Sequence, residues 1–115
     1  MFTFTHRRDP SPDAQPEGEY ANLGKGVHLS EVEFYLGDGS LVPPFVEYAT
    51  NPNGVNPVGR EPSKTVDSDK ISWWLDTAES GNGQSTLVIT MPYFVVTGYE
   101  LFTGGGDPKF DPTGW

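Results

Sequence analysis

The chain contains no cysteine, and this absence excludes disulfides, thiol nucleophiles and thiolate metal sites together. It also contains no apolar run approaching the roughly 18 residues that indicate a membrane-spanning helix. The sequence begins Met-Phe-Thr-Phe-Thr, without the apolar segment of a secretory signal. We therefore expect neither membrane insertion nor export through a cleaved signal.

Basic residues are scarce. Seven Lys and Arg face sixteen Asp and Glu, which gives a formal net charge of −9 at pH 7. Binding to nucleic acid depends on clustered basic side chains that neutralise phosphates, and here they are few and scattered. The composition thus excludes a nucleic-acid partner and disfavours an anionic membrane surface.

Turn-forming and aromatic residues are abundant by contrast. The 115 residues correspond to about one domain, which we place at 1–115. Fourteen Gly and eleven Pro argue against long helices, while seven Phe, five Tyr and three Trp supply large units of buried area. Several segments alternate apolar and polar residues, and none shows helical periodicity. The sequence predicts an all-β fold, an antiparallel β-sandwich.

Alternation locates most of the predicted strands. A short strand is indicated at residues 2–5, and another at 27–36, where His28, Val32, Phe34 and Leu36 form the expected core face. Asp38-Gly39 suits a tight hairpin turn.

The remaining predicted strands follow the hairpin. Paired prolines place residues 41–49 at a sheet edge or a bulge. A strand holding the double tryptophan is expected near 71–76, and residues 87–91 and 95–103 are expected to form adjacent strands. Residues 6–18 are rich in proline and read as a solvated loop, or as an arm that lies on a neighbouring subunit.

Signals of catalysis are weak. His6 and His28 lie far apart, and Gly104-Gly105-Gly106 lacks the lysine and helix of a phosphate loop. A solvated strand face explains the pair Glu31 and Glu33. We expect the protein not to be an enzyme.

Two further groups of residues are candidate binding sites. Asp67 and Asp69 could hold calcium with nearby carbonyl groups, although two carboxylates supply few of the six to eight oxygens that calcium prefers. No other cofactor is indicated. Trp73 and Trp74 would face opposite sides of a strand, so one should lie in the core and the other be partly exposed, at an interface or against a sugar ring. The tail ends in Trp115, which we expect to return to the core.

A set of motifs resembles the galactose-binding-like domains of the discoidin and coagulation factor 5/8 C type. In chain order they are LSEVEFY (29–35) with Asp38-Gly39, EPSKTVD (61–67), Trp73 or Trp74, GYEL (98–101) with Thr103, and two Asp-Pro steps at 107–108 and 111–112 that lead to Thr113-Gly114-Trp115. The resemblance implies a jelly-roll sandwich, often a carbohydrate- or surface-binding module, and often a structural calcium near residues 66–74.

The chain departs from that pattern at three places. Ser68 stands where the usual glycine follows the loop aspartate, and Phe110 stands where an arginine precedes the last Asp-Pro motif. Such domains also continue past the tryptophan with further strands. The sandwich is therefore expected to be shortened, with an edge that the N-terminal strand or another chain covers.

Two functions are compatible with these features. The first is a structural subunit of a large assembly, such as a virion decoration, cement, baseplate or fibre protein, made without a signal peptide and bound to other protein subunits. The second is a carbohydrate-binding module that recognises surface glycans. The candidate contact residues in either case are Trp73, Trp74, Phe110 and Trp115, and a cytoplasmic location is the alternative to the extracellular-facing assembly.

Overall fold

The computed structural model describes residues 1–7, 26–43, 47–77, 84–103 and 111–115. In these ranges all regular structure is β-strand, apart from one 3₁₀ helix at Pro62–Thr65. The strands are β1 (Phe2–Phe4), β2 (His6–Arg7), β3 (Val27–Leu29), β4 (Glu31–Leu36), β5 (Tyr48–Thr50), β6 (Trp74–Asp76), β7 (Ser85–Thr90), β8 (Val96–Phe102) and β9 (Pro112–Gly114). Every strand pairing among them is antiparallel. The predicted all-β antiparallel class is confirmed and is consistent with a β-sandwich. No helix in these ranges has the length and apolarity to span a membrane.

The largest sheet has the order β1-β7-β5. Phe2 lies opposite Leu87, and Ala49 lies opposite Ile89, so β7 is the central strand. Within the described residues β5 is an edge strand, as the paired prolines just before it indicate. The predicted strand over 41–49 is shorter than expected, since β5 begins at Tyr48 and Leu41 makes only an isolated bridge with Tyr35.

β4 pairs with β8 over its whole length, from Glu31 opposite Phe102 to Leu36 opposite Val96. The chain turns after β4 at Gly39, whose φ of +83° lies in the left-handed region that glycine tolerates. The expectation that residues 87–91 and 95–103 form neighbouring strands is wrong. β7 takes β1 and β5 as partners, while β8 returns to β4, because pairing follows the three-dimensional core rather than proximity in sequence.

Two short pairings complete the strand network. β3 pairs with β6, with His28 opposite Leu75, and β2 pairs with β9, with His6 opposite Gly114. The backbone N–H of Thr5 also donates to the carbonyl of Gly114 at 3.0 Å. Residues 6 and 7 of the predicted arm therefore belong to a strand, and residues 8–18 lie outside the described ranges.

The core centres on Trp74, which is fully buried. Its ring lies 6.1 Å from that of Phe4, and its Nε1 donates to Oδ1 of Asn56 at 2.7 Å, so the one polar atom of the indole is satisfied. Other buried apolar side chains in the same cluster are Val27, Leu29, Val32, Phe34, Val42, Ala49, Val66 and Leu87. The predicted core face of β4 is confirmed at Val32 and Phe34.

Candidate functional site

The face of β4 and β8 opposite the core is acidic. Glu31, Glu33 and Tyr35 alternate along β4, and Glu100 on β8 lies opposite Glu33. The Tyr35 hydroxyl donates to Oε2 of Glu100 at 3.0 Å, and this bond raises the pKa of the phenol. Lys70 reaches over the same face, with its Nζ 2.8 Å from Oε1 of Glu33 and 3.9 Å from the centre of the Phe102 ring.

Glu31 departs from the solvated position expected for it, because only 2% of the residue is exposed. The loop after the 3₁₀ helix covers it, and the backbone N–H of Ser68 donates to its carboxylate. Burial, followed by the negative charge of Asp67, raises the pKa of Glu31 to about 8. The expectation of a solvated strand face is therefore wrong at Glu31.

A pocket of about 60 Å³ opens beside Glu31. Its lining residues are Glu31, Val32, Glu33, Phe34, Leu41, Val42, Glu47 and Ser68. Glu47 is half-buried, and burial raises the pKa of its carboxyl to about 7. Oε2 of Glu31 and Oε1 of Glu47 are both fully buried and have no hydrogen-bond partner among the described residues. Sequence reasoning missed this pocket, since its members come from three separate segments.

The aspartates predicted to bind calcium shape a turn. Oδ1 of Asp67 accepts the N–H of Asp69 at 3.0 Å, and its Oδ2 accepts the Ser72 hydroxyl at 2.8 Å. Oδ1 of Asp69 accepts the N–H of Ile71 at 2.9 Å. The two bonds from backbone N–H groups are turn bonds typical of aspartate, and the third joins two side chains. No cluster of three or more His, Cys, Asp or Glu side chains suited to a metal occurs in the described ranges, and calcium at this loop stays a prediction.

The two neighbouring tryptophans lie in different environments. Trp74 begins β6 and is fully buried in the core. Trp73 precedes the strand and is half-buried. The Arg60 guanidinium lies 3.7 Å from the centre of the Trp73 ring, and the His28 ring meets it edge-on at 5.6 Å. Trp73 thus covers a buried histidine with one part of its surface and holds an arginine with another.

Trp115 does not return to the core. The residue is 57% exposed, and its Nε1 donates to the Tyr99 hydroxyl at 3.0 Å. The expectation of a buried Trp115 is wrong, because the β2–β9 pairing holds the chain end at the surface beside β8. Tyr99 is itself 48% exposed, and its ring meets Phe2 edge-on at 5.0 Å. Phe110 lies outside the described residues.

Exposed apolar side chains accompany Trp115 on and just before β8. We define the aromatic surface as the exposed residues Tyr93, Val95, Val96, Tyr99 and Trp115. Tyr93 is completely exposed and has a φ of +38°, a conformation that is uncommon for an aromatic residue. None of the five side chains carries a charge at neutral pH. The surface therefore combines exposed apolar area with a backbone held in an unfavourable conformation.

A buried polar pair ties the C-terminal segment to the core. Nε2 of His28 lies 2.6 Å from Oδ1 of Asp111, and both residues are almost fully buried. Asp111 immediately precedes β9, so this bond fixes the chain that leads to Trp115. No sequence pattern indicates this pair, because its members are 83 positions apart.

Comparison of the chain with protein families, with curated proteins and with solved structures finds no match. The described part offers two surfaces of interest, which are the Glu31–Glu47 pocket and the aromatic surface.

Proposed function

We propose that the chain is a non-enzymatic structural subunit of a large assembly, such as a virion decoration, cement, baseplate or fibre protein, and that it binds another copy of itself through the aromatic surface. The observation that carries the proposal is the exposed Trp115, held in place by its hydrogen bond to Tyr99. Trp and Tyr are enriched at protein interfaces and dominate their binding energy. A tryptophan fixed at the surface needs little ordering when a partner binds.

Charge favours this surface over others for contact between copies. Each chain carries a net charge of −9, so most approaches of two copies are repulsive. The side chains of the aromatic surface are uncharged, and Glu100, next to Tyr99 on β8, lies on the opposite face with Tyr35. Contact through Tyr99 and Trp115 therefore does not require two acidic side chains to meet.

Strand pairing supports the same choice. β8 pairs with β4 along one edge, and no strand of the described ranges pairs with its other edge. An open strand edge is a template for a further strand, and two-fold symmetry places the same patch on both partners. The open edge of β8 in one copy can thus pair with the same edge of β8 in a second copy.

We also propose that the sheets belong to a jelly-roll sandwich of the galactose-binding type. Support comes from Ser68, whose φ of +62° lies in the region that favours glycine. This is the position at which the motifs of that family carry a glycine. The backbone of the loop fits the family pattern even though the side chain differs.

The Trp115→Ala variant tests the contact between copies. Loss of a central tryptophan costs about 2 kcal/mol or more at an interface, which corresponds to roughly 30-fold weaker association. We expect analytical ultracentrifugation to show this weakening, with little change in the unfolding temperature. Salt should strengthen association of the unaltered chain, because it screens the repulsion between acidic copies.

Tyr48→Ala is the matched control, since Tyr48 is an exposed aromatic residue on β5 that is not part of the aromatic surface. It should leave association unchanged. A chain that stays monomeric at high protein concentration and high salt, or a Trp115→Ala variant that associates normally, contradicts the proposal.

A carbohydrate-binding module is the second candidate, and the same two rings favour it. The side chains of Trp115 and Tyr99 are both exposed and joined by a hydrogen bond, so a sugar ring could stack on them. Quenching of tryptophan fluorescence by added glycans, absent in Trp115→Ala, would support this function instead.

A further inference from the structure

The pocket beside Glu31 contains two buried acceptor atoms without donors. Oε2 of Glu31 and Oε1 of Glu47 are sealed from solvent and have no hydrogen-bond partner in the described part of the chain. Leaving a buried polar atom unpaired costs about 1 to 3 kcal/mol, and more for a charged group. Native proteins rarely carry such atoms without a bound water or ion that satisfies them. Both residues line one pocket, and a positively charged ligand bound there would satisfy the two oxygens.

The charges around the pocket favour a cation. Asp67, Glu33 and Glu47 all act on Glu31 with negative charge. Two of these groups have a lysine partner, since Nζ of Lys70 lies 2.8 Å from Oε1 of Glu33 and Nζ of Lys64 lies 3.9 Å from Oδ2 of Asp67. In the described part of the chain no lysine pairs in this way with the carboxyl groups of Glu31 and Glu47.

The size and chemistry of the pocket restrict the cation. A volume of about 60 Å³ holds an ion with a few waters, since one water needs roughly 10 to 15 Å³. Carboxylate oxygens are the ligands of hard divalent cations, and Mg²⁺ in particular binds through one or two carboxylates while keeping several waters. The pocket offers two carboxylates, and water must supply the rest of the coordination shell.

We propose that the Glu31–Glu47 pocket binds a partly hydrated divalent cation, Mg²⁺ or Ca²⁺, with Oε2 of Glu31 and Oε1 of Glu47 as its protein ligands. The bound ion links β4 to the segment that holds Glu47. The pocket borders the turn formed by Asp67 and Asp69, because Ser68 lines it, but the described hydrogen bonds of those two aspartates are made within the loop.

The proposal is tested by thermal unfolding of the full chain in chelator and in rising MgCl₂ or CaCl₂, on the alkaline side of both carboxyl pKa values. A ligand that binds only the folded state raises the unfolding temperature by mass action. We expect a saturable rise of several degrees with at least one of the two salts. Glu31→Gln and Glu47→Gln should each abolish the rise.

The glutamine variants also separate ligation from a structural role. Glutamine keeps the size of the side chain and removes its charge, so Glu31→Gln should be at least as stable as the unaltered chain in chelator. If the Glu31 carboxylate had only a structural role, Glu31→Gln would be less stable than the unaltered chain in chelator. If Glu31→Gln does not fold, isothermal titration calorimetry of the Glu47→Gln variant with MgCl₂ and CaCl₂ provides the same test, and it should show that cation binding is lost.

Two control variants locate the ion. Glu100→Gln makes the same chemical change on an exposed residue outside the pocket, and Asp69→Asn alters the loop. Both should keep the full response to the cation. The proposal is overturned if neither salt raises the unfolding temperature, if the rise persists in Glu31→Gln, or if Asp69→Asn alone abolishes it.

Discussion

Replacing Trp74 by alanine is expected to lower the free energy of unfolding by about 3 to 5 kcal/mol, the usual cost of removing a large buried aromatic side chain. Trp74 is the first residue of β6 and is fully buried in the core, where its ring lies next to that of Phe4. The substitution also leaves Oδ1 of Asn56 without the indole N–H that it accepts. Because native domains are stable by only about 5 to 15 kcal/mol, much of the population should unfold. Chemical denaturation followed by circular dichroism measures the change.

Trp74→Phe separates the two contributions, since phenylalanine restores most of the apolar volume and lacks the hydrogen bond. The free energy of unfolding of Trp74→Phe should lie between those of the unaltered chain and Trp74→Ala. Trp115→Ala serves as the exposed control and should change the free energy of unfolding by less than about 1 kcal/mol. Equal losses in Trp74→Ala and Trp115→Ala would show that the core is not centred on Trp74.

Replacing Asp111 by alanine is expected to cost about 1 to 3 kcal/mol, because the substitution removes one partner of a buried hydrogen bond. The substitution removes the oxygen that lies 2.6 Å from Nε2 of His28, a side chain that is itself buried. It should also loosen β9, because Asp111 holds the chain just before that strand. Hydrogen exchange should show lost protection at Thr5, whose N–H donates to Gly114.

A double-mutant cycle with His28 gives the control. If the pair acts as a unit, His28→Leu combined with Asp111→Leu should cost less than the sum of the two single changes. Additive costs would mean that His28 and Asp111 stabilise the fold through other neighbours.

The parity of β4 could be read from the sequence, and it located Val32 and Phe34 in the core. It failed at Glu31, because alternation tells which side of a strand a residue faces and says nothing about what covers that side. One neighbour on that side is Ser68, which is 37 positions away and donates its backbone N–H to the Glu31 carboxylate. Contacts of this kind depend on the path of the loop and leave no periodic signal.

Trp115 shows a second limit of sequence reasoning. A large apolar side chain at the end of a loop is usually buried, and composition favours that outcome. Here His28 holds Asp111 and β2 pairs with β9, and these non-local contacts direct the last residue toward Tyr99. The site at the aromatic surface was therefore only partly predictable, through the identity of Trp115 and not through its position.

The pairing of β2 with β9 also affects the order of folding. It joins position 6 to position 114, so nearly the whole chain forms the loop that must close before the two strands meet. Closure of so long a loop is entropically unfavourable and comes late, after short-range contacts such as the turn at Gly39 that follows β4. During synthesis β2 cannot pair before β9 has left the ribosome. Until then residues 6 and 7 have no strand partner.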